Sequence, residues 1–222
     1  MTQHTSIRDR ILADIASGAF AFGERLTIDD LAIRYQASHM PVREALRALQ
    51  GAGVLEIGLG RSARVRAFDP AYVENLFSTR SALEVMLVRR AAQHCTPAQL
   101  RHIEAIEVEL EQRVAAQDYT GALQLNRRMH ATINDIAENP DAVAIIDRHC
   151  LLIAALWQRV GYGPERYPGV ISDHRHLLRA LARHDVEAAG TLMGAHVIKA
   201  KFDLLARIAG LQPAAKAARH AA

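Results

Sequence analysis

The chain has 222 residues, half of them hydrophobic, which is enough to bury a core in one large domain or two modest ones. Its longest apolar run, Cys150 to Trp157, falls far short of the roughly 20 residues that cross a bilayer, and its first ten residues lack the basic tip and apolar core of a secretion signal, so the expectation is a globular cytoplasmic protein with no membrane span. The net charge of +3 suits a soluble enzyme as well as a nucleic-acid binder, and Cys95 and Cys150, with no CxxC spacing, read as free thiols.

Alanine, leucine, arginine and glutamate recur at helical spacing while glycine, proline and aromatic residues are sparse, so the chain is expected to be mostly α-helical. Three helices come first: about Ile7 to Ser17, ended by Gly18; Ile28 to Gln36, capped by Thr27; and Met40 to Gly51, capped by Ser38. One hairpin follows within Gly53 to Phe68, where Val54, Leu55 and Ile57, then Val65 and Phe68, flank a glycine-bearing turn. After Asp69 and Pro70 come about six longer helices: Ala71 to His94, Pro97 to Ala116, Tyr119 to Glu138, Ala142 to Val160, Val170 to Arg183 and Val186 to Ala209. "GYGPERYPG" from Gly161 to Gly169 punctuates them, and the alanine-rich tail after Pro213 has no apolar face to bury, so it is expected to be frayed. The division is therefore 1–68, 69–212 and a disordered tail 213–222.

In the third helix Pro41 falls in the first turn, where its missing N–H costs nothing, and Val42, Ala45, Leu46 and Leu49 form one apolar stripe. His39, Arg43 and Arg47 sit at successive fours on another side, with Ser38 and Met40 beside them at the helix start. Two short helices joined by a tight turn, the second presenting bases near its N-terminus, meet the needs of a helix-turn-helix entering the major groove. The hairpin tip adds Arg61, Arg64 and Arg66 with no acid between them, suited to lie along phosphates as a wing. A solvated helix face is the alternative for the helix taken alone.

The segment "GERLTIDDLAIRYQASHMPVREALRALQGAGVLEIGLGRSARV" resembles the N-terminal winged helix-turn-helix of the GntR superfamily of bacterial transcription regulators, most of all through "PVREALRALQGAGVLE". The resemblance covers about residues 6 to 68. Where the family commonly reads G-V-S-R-T-P, this chain has Gln36, Ala37, Ser38, His39, Met40 and Pro41, so the turn glycine and the arginine and threonine of the helix start are replaced. A non-glycine residue at positive φ in that turn costs roughly 1 kcal/mol. His39 and Met40 offer bases one contact and an apolar one where arginine grips guanine with two, so the operator is expected to differ from the family's usual one. On this resemblance Ser38, His39, Met40, Arg43, Arg47, Arg61 and Arg64 are the DNA-binding candidates.

Among eleven histidines, three lie beside the core stripes of separate helices: His130 next to Leu125, Met129 and Ile133, His174 among Val170, Leu177 and Leu181, and His196 between Met193 and Val197. A single inward histidine is usually a hydrogen-bonded core residue; three sharing one bundle could converge, with the Asn126 oxygen, on one divalent ion. Residues 70 to 210 also resemble the all-helical ligand-binding FCD domain of the FadR branch of that superfamily, through "RSALE" from Arg80, "NRRMH", "AEN", "SDHRHLLRAL" and "MGAH". In members with a metal site, an Asp, a His four residues later and two further histidines hold the ion, which maps to Asn126, His130, His174 and His196. Asn126 replaces the Asp, so zinc or nickel is expected over harder ions, with an unloaded site as the alternative. The resemblance also implies a small carboxylate effector near the metal, with Arg80 as its anchor and Arg148 and Trp157 as further lining. An ion pair between Arg80 and Glu84 is the rival role for that arginine.

The expectation from sequence is thus a mostly α protein, a winged helix-turn-helix followed by an all-α effector domain. It would act as a homodimeric, effector-controlled regulator, a repressor in kind, on a palindromic operator in double-stranded DNA. Two rivals are a metal-dependent enzyme acting on a small acid, which lacks any HExxH, nucleophile elbow or phosphate loop, and a constitutive DNA binder whose histidines are structural.

Overall fold

The computed structural model describes residues 6–57 and 62–220, with side chains through residue 210. The chain forms two compact units: residues 1–70 together with Arg148–Gly161, and residues 71–147 together with 162–222.

In the first unit the order is α1 (Ile7–Ser17), β1 (Arg25–Thr27), α2 (Ile28–Tyr35), α3 (His39–Gly51), β2 (Leu55–Ile57) and β3 (Ser62–Val65). Both α1 and α2 pack on α3, and their stripes close a core of Ile11, Ile15, Leu31, Tyr35, Val42, Leu46 and Leu49. The Tyr35 hydroxyl donates to Asp14 Oδ2 at 2.7 Å and Arg34 Nε to the same oxygen at 2.9 Å, which fixes α2 against α1. The sheet is three-stranded and antiparallel in the order β1-β3-β2, with Leu26 opposite Ala63 and Leu55 opposite Val65. Only the β2–β3 hairpin was expected; β1 is three residues long and runs straight into α2, too short to carry an alternating pattern. The turn between α2 and α3 is built on Gln36, at φ 51 and ψ 50, so the left-handed position expected in this turn is occupied by a residue with a side chain. Ser38 is the N-cap of α3 but makes no side-chain cap hydrogen bond, unlike Thr27 at α2, whose hydroxyl accepts from the Asp30 N–H.

The long helices of the second unit are α4 (Pro70–His94), α5 (Pro97–Ala115), α6 (Tyr119–Ile136), α7 (Pro140–Val160), α8 (Tyr167–Ala182) and α9 (Val186–His220), with a 3₁₀ turn at Pro164–Arg166. The last part of α7, from Arg148, groups with the first unit and brings the buried Leu152, Leu156 and Trp157 to it. Expected and observed ends agree to within two residues except at α8, which starts at Tyr167 with Pro168 in its first turn, where no helical N–H is needed, and at α9, which runs on past Ala209 to His220. Within the second unit α5 packs against α6 and α8, and α8 against α9. Gly194 on α9 lets Val85 of α4 approach, a Cβ there standing 3.3 Å from its Cγ2. Neither Cys95 nor Cys150 forms a disulfide. The wing tip, residues 58–61, and the side chains of the tail lie outside the described residues, and with them Arg61 and the expectation of a frayed end.

Candidate metal centre and nucleic-acid interface

Helices α6, α8 and α9 each carry one histidine into the interior of the second unit. His130, His174 and His196 are 2%, 1% and 6% exposed, and their ring centroids stand 5.0 to 5.7 Å apart. One ligating atom from each lies within 4.8 Å of the others. The convergence expected from three separate stripes is therefore present.

Each ring is held from behind by a different carboxylate. Nδ1 of His130 faces Glu84 Oε2 at 2.9 Å, Nδ1 of His174 faces Glu107 Oε2 at 2.7 Å, and Nδ1 of His196 faces Asp173 Oδ2 at 3.3 Å. An ionised carboxylate can only accept, so each Nδ1 donates and the lone pair is left on Nε2. Nε2 of His130 and of His174 is buried with no hydrogen-bond partner. Oriented imidazoles with buried, unsatisfied Nε2 atoms are what a metal ion requires of its ligands, and a carboxylate behind a histidine is the usual support. The cluster could hold a metal ion. Asn126 lies one turn before His130 on α6, and its Oδ1 is also buried without a hydrogen bond.

The electrostatics keep these rings in their ligating form. Burial pushes His196 down to about 3 and His130 below the ordinary histidine range, outweighing the pull of Asp173 and Glu84, so both are neutral at pH 7. Burial would raise Asp173, but hydrogen bonds from His196 and Lys199 bring it to about 2. Burial would likewise raise Glu84; Arg80, then His130, hold it well below the usual carboxylate range.

Arg80 is buried on α4 and its Nε donates to Glu84, so the ion-pair role exists, and through Glu84 it is joined to His130. Arg148 is exposed and belongs to the stretch of α7 that groups with the first unit, as does the buried Trp157. The histidines lie in the second unit. Sequence spacing gave no sign of the three supporting acids, because each reaches its histidine from another helix, 46, 67 and 23 residues away.

In the first unit, Ser38, His39, Met40 and Arg47 are exposed along α3, while Arg43 is half-buried with its Nε lacking a hydrogen bond. His39 Nε2 lies 3.2 Å from Asp29 Oδ1 at the start of α2, a partner that sequence reading missed. Arg64 is exposed on β3 rather than at the tip, and its guanidinium donates to the Gly23 carbonyl. Arg66 bonds the Gly53 carbonyl at 2.6 Å and Glu56 at 3.3 Å, which holds it to the base of the hairpin.

Comparison with known proteins agrees with this two-part plan. Residues 3–65 match the bacterial regulatory proteins of the gntR family, and residues 75–199 match the FCD domain. The chain is 26% identical over 198 residues to the HTH-type transcriptional regulator McbR of Escherichia coli (strain K12), covering 83% of this chain and 86% of that one. It is 26% identical over 191 residues to the HTH-type transcriptional repressor RspR of the same organism, covering 83% and 81%. Among solved structures, E. coli McbR/YncC superposes with a TM-score of 0.77 at 21% identity over 91% of this chain and 96% of that one, a likeness of fold. No described helix is long and apolar enough to cross a membrane.

Proposed function

Since the chain belongs to the GntR family of bacterial transcriptional regulators and carries an FCD domain behind its DNA-binding domain, we propose that it is a cytoplasmic repressor. It binds a palindromic operator as a homodimer, under the control of a small carboxylate held at a metal in the helical domain. The observation that carries the ligand half of this reading is the set of three buried histidines, each backed by its own carboxylate. A core that merely needed polar histidines satisfied would not leave two Nε2 atoms buried and unbonded.

His130, His174 and His196, with Asn126, would hold the ion. Neutral nitrogen donors and an amide oxygen favour zinc or nickel over magnesium or calcium. When bound, such an ion supplies a concentrated positive charge to which an acid's oxygen can attach. Arg80 adds a guanidinium tied to His130 through Glu84, and its planar fork suits a carboxylate.

On the DNA side, Pro41 starts α3 and Leu46 and Leu49 seat it on the core, leaving His39, Met40, Arg43 and Arg47 to meet base edges and phosphates. Ser38, with its hydroxyl unused as a cap, suits a phosphate oxygen, and Arg61 and Arg64 are assigned to the wing. A symmetric dimer would place two such helices about 34 Å apart, one turn of DNA.

Two measurements test the reading. Elemental analysis of the native protein should find about one zinc or nickel per chain. The protein should prefer the DNA flanking its own gene over random duplex at moderate salt, with affinity falling steeply as salt rises. Absence of metal together with no response to added zinc, nickel or small acids would leave a constitutive DNA binder with structural histidines. No preference for the flanking DNA would remove the repressor reading altogether.

A further inference from the structure

Asp29 on α2 and His39 at the start of α3 face each other, with Oδ1 of the first 3.2 Å from Nε2 of the second. Both side chains are well exposed, 69% and 57%. The other acid in the first turn of α2, Asp30, is taken by the Thr27 hydroxyl, and the arginine of that helix, Arg34, by Asp14. Among the described residues the ion pair of Asp29 is therefore with His39, and no lysine or arginine offsets its charge.

An acid on this edge of a DNA-binding unit carries a cost. A carboxylate held beside a row of phosphates lowers affinity for every duplex, whatever its sequence. What it does in exchange is fix the polarity of the histidine. A carboxylate oxygen accepts and cannot donate, and a bare ring nitrogen 3.2 Å away would set a lone pair against that negative oxygen. The proton of the uncharged imidazole therefore sits on Nε2, toward Asp29, and the lone pair on Nδ1. In water a pair this exposed is weak, but the field of the carboxylate strengthens as a groove displaces the water around it.

The first residues of a recognition helix are those that meet base edges. In the major groove the hydrogen-bond donors are the N6 amine of adenine and the N4 amine of cytosine, whereas guanine presents only acceptors, N7 and O6. A lone pair on Nδ1 can bond to either amine and is repelled by the guanine acceptors. An arginine at the same place would do the reverse, since it only donates.

We infer that Asp29 is a positioning residue that turns His39 into a hydrogen-bond acceptor, so that position 39 reads the exocyclic amine of an adenine or cytosine in the operator. The inference rests on the reading of α3 as the recognition helix and adds to it the chemistry of one contact. Asp29 thus lowers affinity for DNA in general while sharpening the choice of sequence.

The test uses the full chain at pH 8, where an imidazole is uncharged, and at one fixed salt concentration. Selection from random duplexes by the natural protein supplies the operator, and the same selection with His39→Ala locates the base pair whose preference depends on His39. At that pair the amine is removed by replacing adenine with purine or cytosine with 2-pyrimidinone, and in a separate duplex the purine N7 is removed by a 7-deaza base. Loss of the amine should weaken the natural protein by about threefold to tenfold, the worth of one hydrogen bond, and His39→Ala by less than about twofold. The 7-deaza base should leave both within about twofold. Asp29→Ala should bind random duplex more tightly than the natural protein, yet lose most of its penalty for the missing amine, a combination that damage to the fold would not produce. A His39-dependent penalty for the 7-deaza base overturns the inference, and so does an Asp29→Ala protein that keeps the full amine penalty. Selection of an operator with no pair that depends on His39 overturns it too, while leaving the DNA-binding reading standing. If the natural protein selects no duplex at all, that reading fails and this inference falls with it. Should Asp29→Ala not fold, as judged by its melting curve, the base replacements with the natural protein and His39→Ala decide the matter.

Discussion

Replacing Glu107 with glutamine separates a supporting role at the histidine cluster from a role in folding. Glu107 on α5 receives the His174 Nδ1–H at 2.7 Å, and its second oxygen is buried and unbonded. Glutamine keeps the volume and an accepting oxygen but removes the charge. A hydrogen bond to a charged group contributes about 1.5–3 kcal/mol and a neutral one about 0.5–1.5, so the bond behind His174 weakens by about 1 kcal/mol. That bond is strongest when Nε2 is bonded to a cation, so the loss should appear chiefly as weaker metal binding, by about tenfold, the low end of what changes behind a ligating histidine produce. The metal-free protein should hardly notice. The weaker bond is offset by no longer keeping a charged oxygen buried and unpaired, leaving a change within about 1 kcal/mol, or about 2–4 °C in Tm. Zinc competition with a chelator measures the first quantity and melting in the presence of EDTA the second. Zinc affinity within about twofold of the natural protein would show that the carboxylate does not serve an ion. Collapse of the metal-free protein would show that it serves the fold instead.

Arg43→Ala should weaken binding to every duplex by about 1–3 kcal/mol, whereas His39→Arg should change which operator wins in a selection from random sequences; an unchanged preference would displace His39 from the base-reading edge. Acid should destabilise the metal-free protein with one sign throughout. His196 titrates near 3 when folded against 6.5 otherwise, so the unfolded chain binds the extra proton between those values and stability falls as the pH drops below about 6.5. The lowered Asp173, at about 2 against 3.8, and the lowered Glu84 contribute stability that is present above the ordinary carboxylate range and lost below it, which adds to the fall. A urea midpoint that rose on acidification would contradict this assignment of charge. Gly18 lies at φ 89 with the Arg159 guanidinium packed where a Cβ would point, so Gly18→Ala should cost about 1–2 kcal/mol in urea unfolding from backbone strain, with Arg159 displaced.

Much of the fold was legible because helices announce themselves locally. The stripes of α1, α2 and α3 repeat every three or four residues, and Thr27, Gly18 and Pro41 mark ends through rules that involve only near neighbours. The strand β1 escaped because its partner β3 lies more than thirty residues on and three residues hold no period. The histidines of the cluster were legible for the same local reason, each standing beside an apolar line whose direction the helix fixes.

What the sequence determined by itself, then, is which elements form, which faces they bury, and which residue types those faces carry inward, because all of these depend on spacing along one helix or strand. Tertiary structure alone decided the rest. It brought the three rings to within ligating distance and set Glu84, Glu107 and Asp173 behind them from other parts of the chain. It also placed Arg148 and Trp157 in the other unit. A hydrogen bond between helices depends on packing angle and depth, which no periodicity encodes. The ligand set of the candidate metal centre is therefore written in α6, α8 and α9, but its charge balance, and with it what the site can hold, exists only once those helices are packed.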